Sequence, residues 1–316
     1  MTELARRPSL IDRLPPVRGK YTPNAPIGQA SWFKCGGTAD VLFKPKNETD
    51  LQDFLSTCPV EIPITVLGAS SNVIIRDGGI EGIVIRLTRG FNTMTVLDDF
   101  KIEVGAICLD MNVATFAQSH GIGGLEFFAG IPGTIGGALK MNAGAYGRET
   151  KDVLVSAQGF TRQGDAMSYN LQDLNMSYRH SDVPEGVIFT KAIFQGFERD
   201  KDEILNHIQD IKAKREESQP IREQTGGSTF ANPSLDDLNS AGLPEETKVW
   251  QLIDQVGGRG LQIGGAQMSE KHCNFMINTG SATASDLEGL GEEIRARVLD
   301  KFGVTLRWEI KRIGRE

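Results

Sequence analysis

Three glycine-rich loops are the places where this chain could do chemistry. The first is Leu67-Gly68-Ala69-Ser70-Ser71-Asn72. Its small residues let backbone N–H groups approach an anion closely, and its serines and asparagine add side-chain hydrogen bonds. A diphosphate is a natural guest, although a plain turn would use the same residues. The second loop runs Gly130-Ile131-Pro132-Gly133-Thr134-Ile135-Gly136-Gly137-Ala138 and continues as Met141-Asn142-Ala143-Gly144-Ala145-Tyr146-Gly147. An ordinary connection is shorter and needs fewer glycines. The third is Thr225-Gly226-Gly227-Ser228-Thr229-Phe230-Ala231-Asn232-Pro233. Its two glycines could offer the Ser228 hydroxyl to a ligand, and a helix-cap loop would read the same way.

Several familiar chemistries are excluded. The second loop places its glycines at 130, 133, 136 and 137, not in the order of a dinucleotide fingerprint. The one Gly-Lys pair, Gly19-Lys20, lacks the upstream glycine of a phosphate-binding P-loop. Cys35, Cys58, Cys108 and Cys273 form no Cys-x-x-Cys pair, so neither a zinc site nor a disulfide framework is indicated, and reduced thiols of the cytosol are expected. The histidines His120, His180, His207 and His272 are scattered. A net charge of -7 argues against a general nucleic-acid or anionic-membrane surface while leaving room for a local basic pocket. No stretch approaches the ~20 apolar residues of a membrane helix, and the first fourteen residues lack the apolar run of a secretory signal.

The elements that must position these loops alternate in type. Residues 1–38, with five prolines, read as a short helix and a loop. Strand-like runs follow at Ala39–Phe43, Pro63–Leu67 and Gly82–Leu87, with a helix over Glu48–Ser56 between the first two. Next come a strand at Lys101–Gly105, a helix over Leu109–Gln118, and strands near Val153–Phe160 and Val187–Phe194. The helix Asp202–Glu217 sets Ile204, Ile208 and Ile211 on one face and looks like a connector. Near the end, Leu287, Leu290, Ile294, Val298 and Phe302 keep helical spacing, with Thr283 or Ser285 as cap and Gly303 as terminator. A last strand is expected at Val304–Ile310.

Taken in order, these segments resemble the UDP-N-acetylenolpyruvoylglucosamine reductases, the MurB family, from about residue 31 to 314. Lys34-Cys35-Gly36-Gly37-Thr38-Ala39 is similar to the family's entry into its flavin domain, and Leu67–Asn72 with Asp77-Gly78-Gly79 to its pyrophosphate loop. Gly124-Leu125-Glu126-Phe127 through Gly147 resembles its second flavin loop. Tyr178-Arg179-His180-Ser181 matches a tyrosine-arginine-x-serine motif. Gln219-Pro220 and Gly227-Ser228-Thr229-Phe230 match the start of its substrate domain. Gly264-Gly265-Ala266, His272-Cys273-Asn274-Phe275 and Glu309-Ile310 complete the set. Singly these motifs are weak; their shared order is specific.

The resemblance implies an α+β chain. Its FAD-binding fold would be of the vanillyl-alcohol-oxidase type, in two lobes (1–90 and 91–203). A smaller substrate-binding domain (204–303) and a C-terminal strand (304–316) returning to the active site would follow. It implies non-covalent FAD, NADPH as co-substrate and UDP-N-acetylglucosamine enolpyruvate as substrate. The expected flavin contacts are Gly36, Gly37, Leu67, Gly68, Ala69, Ser70, Ser71, Asn72, Gly130, Ile131, Pro132, Gly133, Thr134, Gly137, Asn142, Ala143, Gly144 and Ala145. Phe127 and Met141 would pack the second loop. Substrate contacts would come from Tyr178, Arg179, Gly227, Ser228, Asn232, His272 and Asn274, although His272 has no triad or metal partners nearby and from the residues alone reads rather as structural.

The implied reaction sends a hydride to an enol-ether methylene and a proton to the adjacent carbon, so charge builds on the carboxylate-bearing carbon. Arg179 would grip that carboxylate, Ser228 would donate the proton, and Glu309 would serve beside the carboxylate as a neutral hydrogen-bond donor. Two departures from the family stand out. Its usual lysine before Asn232 is Ala231 here, so another cation must compensate if that lysine holds phosphate. Its usual alanine after the signature histidine is Cys273, a small-for-small exchange. Compact linkers suggest the subgroup without an extra tyrosine loop. The rivals are an alcohol oxidase of the same fold and an inactive nucleotide-sugar binder. A monomer is expected, in the cytosol, with no nucleic-acid or membrane partner.

Overall fold

A computed structural model describes residues 9–316, so the first eight, which carry part of the expected opening helix, lie outside the described residues. The chain divides into two compact units built from interleaved segments. One takes the chain through Ala25, then Ala39–Ala69 and Glu81–Ile211; the other takes Pro26–Thr38, Ser70–Ile80 and Lys212–Glu316.

The first unit holds two sheets. One has four strands in the order Lys20–Ala25, Ala39–Lys44, Ile80–Ile85, Ile64–Val66. Residues 1–38 read as helix and loop, but Lys20–Ala25 is a strand, paired antiparallel with Ala39–Lys44 and set at the sheet edge. Pro23 suggests a loop in the sequence, yet an edge strand has one side free of ladder bonds and tolerates it. The helix Glu48–Thr57 buries Leu51, Phe54 and Leu55, and its N-cap Asn47 accepts the Asp50 N–H at 3.0 Å. Phe43 packs against Phe54, the rings tilted by 43° with centroids 4.4 Å apart. The other sheet is antiparallel, in the order Ala166–Asn170, Leu154–Phe160, Ile188–Gln195, Lys101–Gly105, Met94–Val96. Its core gathers Ile102, Val104, Phe128, Leu139, Ala157 and Phe194 beneath the helix Asp110–Ser119 and the short helix Ile135–Met141. Ile204, Ile208 and Ile211 of the helix Lys201–Ser218 join it, as their spacing predicts.

The second unit is built on a four-stranded antiparallel sheet, Gln224–Ser228, Phe275–Asn278, Ala266–Met268, Gln262–Ile263. The helix Ala284–Phe302 covers it, burying Leu287, Leu290, Ile294 and Val298. Thr283 is its cap, accepting the Asp286 N–H at 3.0 Å. Gly303 ends it in the left-handed conformation at φ 71°. Ser285, the alternative cap, instead meets Asp77, whose carboxylate accepts the Ala284 and Ser285 N–H groups at 3.0 Å each. Asp77 thus works at the positive end of a helix. The strand expected at Val304–Ile310 forms a single bridge, Trp308 to Phe230. The regular ladder comes later, where Lys311–Ile313 pairs in parallel with Val73–Ile75. Apolar alternation called a strand, but within that stretch only the bridge at Trp308 pairs with a neighbour.

Candidate active site

In the first unit, the chemistry gathers around the second glycine loop. Thr134 opens the helix Ile135–Met141, and a side chain at Gly68 would meet its hydroxyl at 2.5 Å, so the first and second glycine loops abut there. Beside them the backbone is open. A side chain at Gly137 would meet nothing nearer than 3.9 Å, and at Gly147, with φ 81°, nothing within 4 Å. Gly130–Gly133 and Ala143–Ala145 are half-buried. Bare backbone with open space beside it and half-buried loops is what a flat, diphosphate-bearing cofactor such as FAD requires, so these residues fit it.

The Tyr-Arg motif is bound to this loop. Tyr178 and Arg179 form the tip of a tight turn in which Ser177 and His180 exchange backbone hydrogen bonds at 3.0 and 3.1 Å. Arg179 sits at φ 56°, a left-handed conformation costly for a residue with a side chain. Its guanidinium lies 5.0 Å from the Tyr178 ring and donates to the Gly144 carbonyl at 3.3 Å. Asn142, fully buried and itself left-handed, locks the two pieces together. Its amide donates to the Ser177 carbonyl at 2.9 Å and to Glu149, and accepts the Lys151 N–H at 3.0 Å. Asn142 therefore positions both loop and turn, a task that sequence reasoning could not assign.

Sequence reasoning missed Asp110 altogether. It is fully buried, and neither carboxyl oxygen has a hydrogen-bond partner among the described residues. Its N–H donates to the Gly133 carbonyl at 3.2 Å, and a side chain at Gly133 would stand 2.7 Å from its Oδ2. Burial pushes its pKa well above the usual carboxylate range. The folded chain therefore holds a proton that the unfolded chain releases above pH ~4. This stabilising contribution is complete below that pH and is lost as pH rises toward the folded pKa. Asp110→Asn removes the titration, so the variant should gain stability relative to the unaltered protein as pH rises from 4 to 8. Urea unfolding at several pH values checks this; a difference that stays flat with pH would sink it.

In the second unit, Ser228 closes the strand Gln224–Ser228 opposite Phe275. Gly226 lets the Phe33 ring pack where a side chain would stand, and Gly227, at φ 84°, faces open space. Among the described residues the half-buried Ser228 hydroxyl makes no hydrogen bond, which leaves it for a ligand. The chain end runs alongside: the Glu309 N–H donates to the Thr229 carbonyl at 2.9 Å. The Glu309 carbonyl in turn accepts from Asn72 Nδ2 at 3.2 Å. These hydrogen bonds thus collect Thr229, next to Ser228, with Glu309 and Asn72 at the end of the first glycine loop.

Asn274 is almost fully buried. Its amide accepts the Phe230 N–H at 3.0 Å and donates to the Phe230 carbonyl at 2.9 Å, so it clasps the Ser228 loop from behind. The His272 Nδ1 accepts the Asn274 N–H at 3.3 Å, and burial holds its pKa below the ordinary value. Asn232 accepts the Val249 N–H at 3.1 Å. Gly36 and Gly37 have a packing reason to be glycine, since side chains there would strike the Ile75 and Asp77 carbonyls at 1.8 and 2.4 Å. Cys273 is fully buried, as a small-for-small exchange requires, and its thiol donates to the Trp250 carbonyl at 3.0 Å. A cavity of about 570 Å³ in this unit is lined by Gln219, Arg222, Gln267, Ser269, Lys271 and Ile277 among others.

Residues 39–169 match the family model of an FAD binding domain. Residues 219–313 match that of the UDP-N-acetylenolpyruvoylglucosamine reductase C-terminal domain. Curated UDP-N-acetylenolpyruvoylglucosamine reductases are similar along nearly the whole chain. That of Maricaulis maris is 51% identical over 97% of this chain and 96% of its own length. That of Gluconobacter oxydans is 52% identical over 95% and 94%. Among solved structures, the UDP-N-acetylenolpyruvylglucosamine reductase of Thermus caldophilus superposes with a TM-score of 0.77 at 31% identity, covering 94% of this chain and all of that one.

Proposed function

Because the chain belongs to the UDP-N-acetylenolpyruvoylglucosamine reductase family, we propose that it reduces UDP-N-acetylglucosamine enolpyruvate to UDP-N-acetylmuramate with NADPH, in the making of peptidoglycan precursors. FAD, when bound, supplies the two-electron relay between NADPH and the enol ether. The residues that would hold it are Gly68 and Ala69 of the first loop and Gly130–Thr134, Gly137 and Ala143–Ala145 of the second. The observation that carries the reading is the Arg179 turn, just past the FAD-domain match in sequence and hydrogen-bonded onto the glycine loop inside that match.

Arg179 binds the substrate carboxylate through its guanidinium, and its grip tightens as that group gains charge, which is what speeds a reaction. The Ser228 hydroxyl gives its proton to the carbon next to the carboxylate. A hydroxyl is a weak acid, but a carbon carrying enediolate charge is a strong base, so the transfer runs downhill. Glu309, backbone-bonded beside Ser228–Thr229, offers its carboxyl to the same substrate group as a donor. Glu309→Gln should then keep most of the turnover, while Glu309→Ala should lose about 10- to 100-fold. Equal losses in the two variants would reject the donor role.

The primary test is anaerobic. Purified protein should be yellow, bleach with NADPH and recolour on addition of the enolpyruvyl UDP-sugar. Recolouring by oxygen alone would favour an alcohol oxidase, and colourless protein that takes up no FAD would end the flavin reading. The enzyme is read as a cytosolic monomer; no helix among the described residues is long and apolar enough to cross a membrane.

A further inference from the structure

The strand segment that carries Glu309 also carries a cation without a role so far. Phe230 and Trp308 form an antiparallel bridge in which the Ala231 N–H donates to the Arg307 carbonyl at 2.9 Å. Such a pair sets its two side chains on one face at close range. The Phe230 and Trp308 rings are indeed 5.1 Å apart, and Trp308 packs against Gly291 of the long helix. Alternation along the strand turns Ala231, Arg307 and Glu309 to the other face. Arg307 and Glu309 lie two residues apart on it, roughly 6–7 Å between backbones.

Ala231 is buried and neutral; Arg307, directly across the bridge, is exposed. Its guanidinium donates to the Asn232 carbonyl at 3.4 Å and forms no ion pair among the described residues. Asp237 feels its charge, but that carboxyl is held below its usual range first by the Ser234 hydroxyl and only last by Arg307. Four other arginines of this unit are engaged: Arg222 with Glu216 at 2.6 Å, Arg259 with Asp254 at 2.9 Å, Arg312 with Glu292 at 2.9 Å and Arg76 with Glu288 at 2.8 Å. A UDP-sugar brings a diphosphate, and a planar guanidinium matches phosphate oxygens with paired donors.

We propose that Arg307 supplies the positive charge for the diphosphate of the UDP-sugar, from across the bridge, where Ala231 leaves the strand without one. The inference rests on the UDP-sugar reading above and names the residue that binds the nucleotide end of that substrate.

The test uses the FAD-loaded enzyme, the enolpyruvyl UDP-sugar in steady-state kinetics, and UDP as a binding probe. Arg307→Gln should raise KM for the UDP-sugar and Kd for UDP on the order of 10- to 100-fold, with kcat changed far less. Arg307→Lys should recover much of the loss. So should Ala231→Lys added to Arg307→Gln, a rescue that a merely structural arginine would not allow. KM of the unaltered enzyme should rise with salt, and that of Arg307→Gln much less. KM and Kd within about twofold of the unaltered values, in a variant with full FAD content, would overturn the proposal. So would failure of both lysine variants to recover binding. If Arg307→Gln does not fold, the salt series decides, and a KM indifferent to salt overturns the assignment. An unaltered enzyme that does not turn over the UDP-sugar ends the functional reading itself, whereas an active enzyme indifferent to Arg307→Gln ends only this inference.

Discussion

Ser228→Ala should lose on the order of 10²- to 10⁴-fold in turnover of the enolpyruvyl UDP-sugar, the range spanned by removal of a positioned proton donor. The loss should fall on kcat, because a proton donor would be needed only once charge has built on the carbon to be protonated. FAD content and melting temperature should hardly move, since among the described residues the Ser228 hydroxyl holds no other group in place. Ser228→Cys should recover part of the rate, since a thiol can also donate. Product made in heavy water would carry solvent-derived deuterium at that carbon in the unaltered enzyme. An alanine variant within about tenfold of normal turnover would remove Ser228 from the proton-donor role.

Arg179→Ala is expected to cost about 10²–10³-fold in kcat/KM, comparable with deleting one preorganised donor to a developing negative charge. Arg179→Lys should fall between, because an ammonium keeps the charge but loses the paired donors. The residue also sits at φ 56°. Glycine there would relieve the backbone, so Arg179→Gly should be at least as stable as Arg179→Ala and just as inactive. Stability would thus hold or improve from alanine to glycine with no recovery of rate, and thermal melts beside steady-state rates would show it. An Arg179→Ala enzyme with normal kcat/KM would dismiss the carboxylate clamp.

Much of this architecture is legible in the residues because local rules and tertiary packing agree. The helices over 48–57, 201–218 and 284–302 announce themselves by apolar spacing and caps, and their bounds fall within a few residues of expectation. The strand Lys20–Ala25 is hidden by Pro23, which only its edge position excuses. The stretch 304–310 alternates like a strand but makes one bridge, because pairing depends on a partner that alternation does not reveal. At the site, glycine clusters and the Arg179, Ser228 and Glu309 motifs are visible as types. The division of labour behind them is not. Asn142 and Asn274 look like ligand contacts in the sequence, yet their amides are spent tying loops to one another. Asp110 looks like an ordinary first-turn helix residue; its isolation follows from what packs around it.

The pairing of Lys311–Ile313 with Val73–Ile75 also fixes an order of events during synthesis. At about 5–20 residues per second, the earlier strand waits roughly ten seconds to a minute for a partner about 240 residues downstream. All of Pro26–Thr38 and Ser70–Ile80 waits with it, because the unit they belong to is completed by the chain's last third. A newly made chain therefore passes a long interval with Ile74 and Phe33, both destined for full burial, lacking their cover. The nascent protein should be an obligate client of whatever shields apolar surface at the ribosome. Stop codons placed before Lys311 should yield aggregated rather than merely inactive protein.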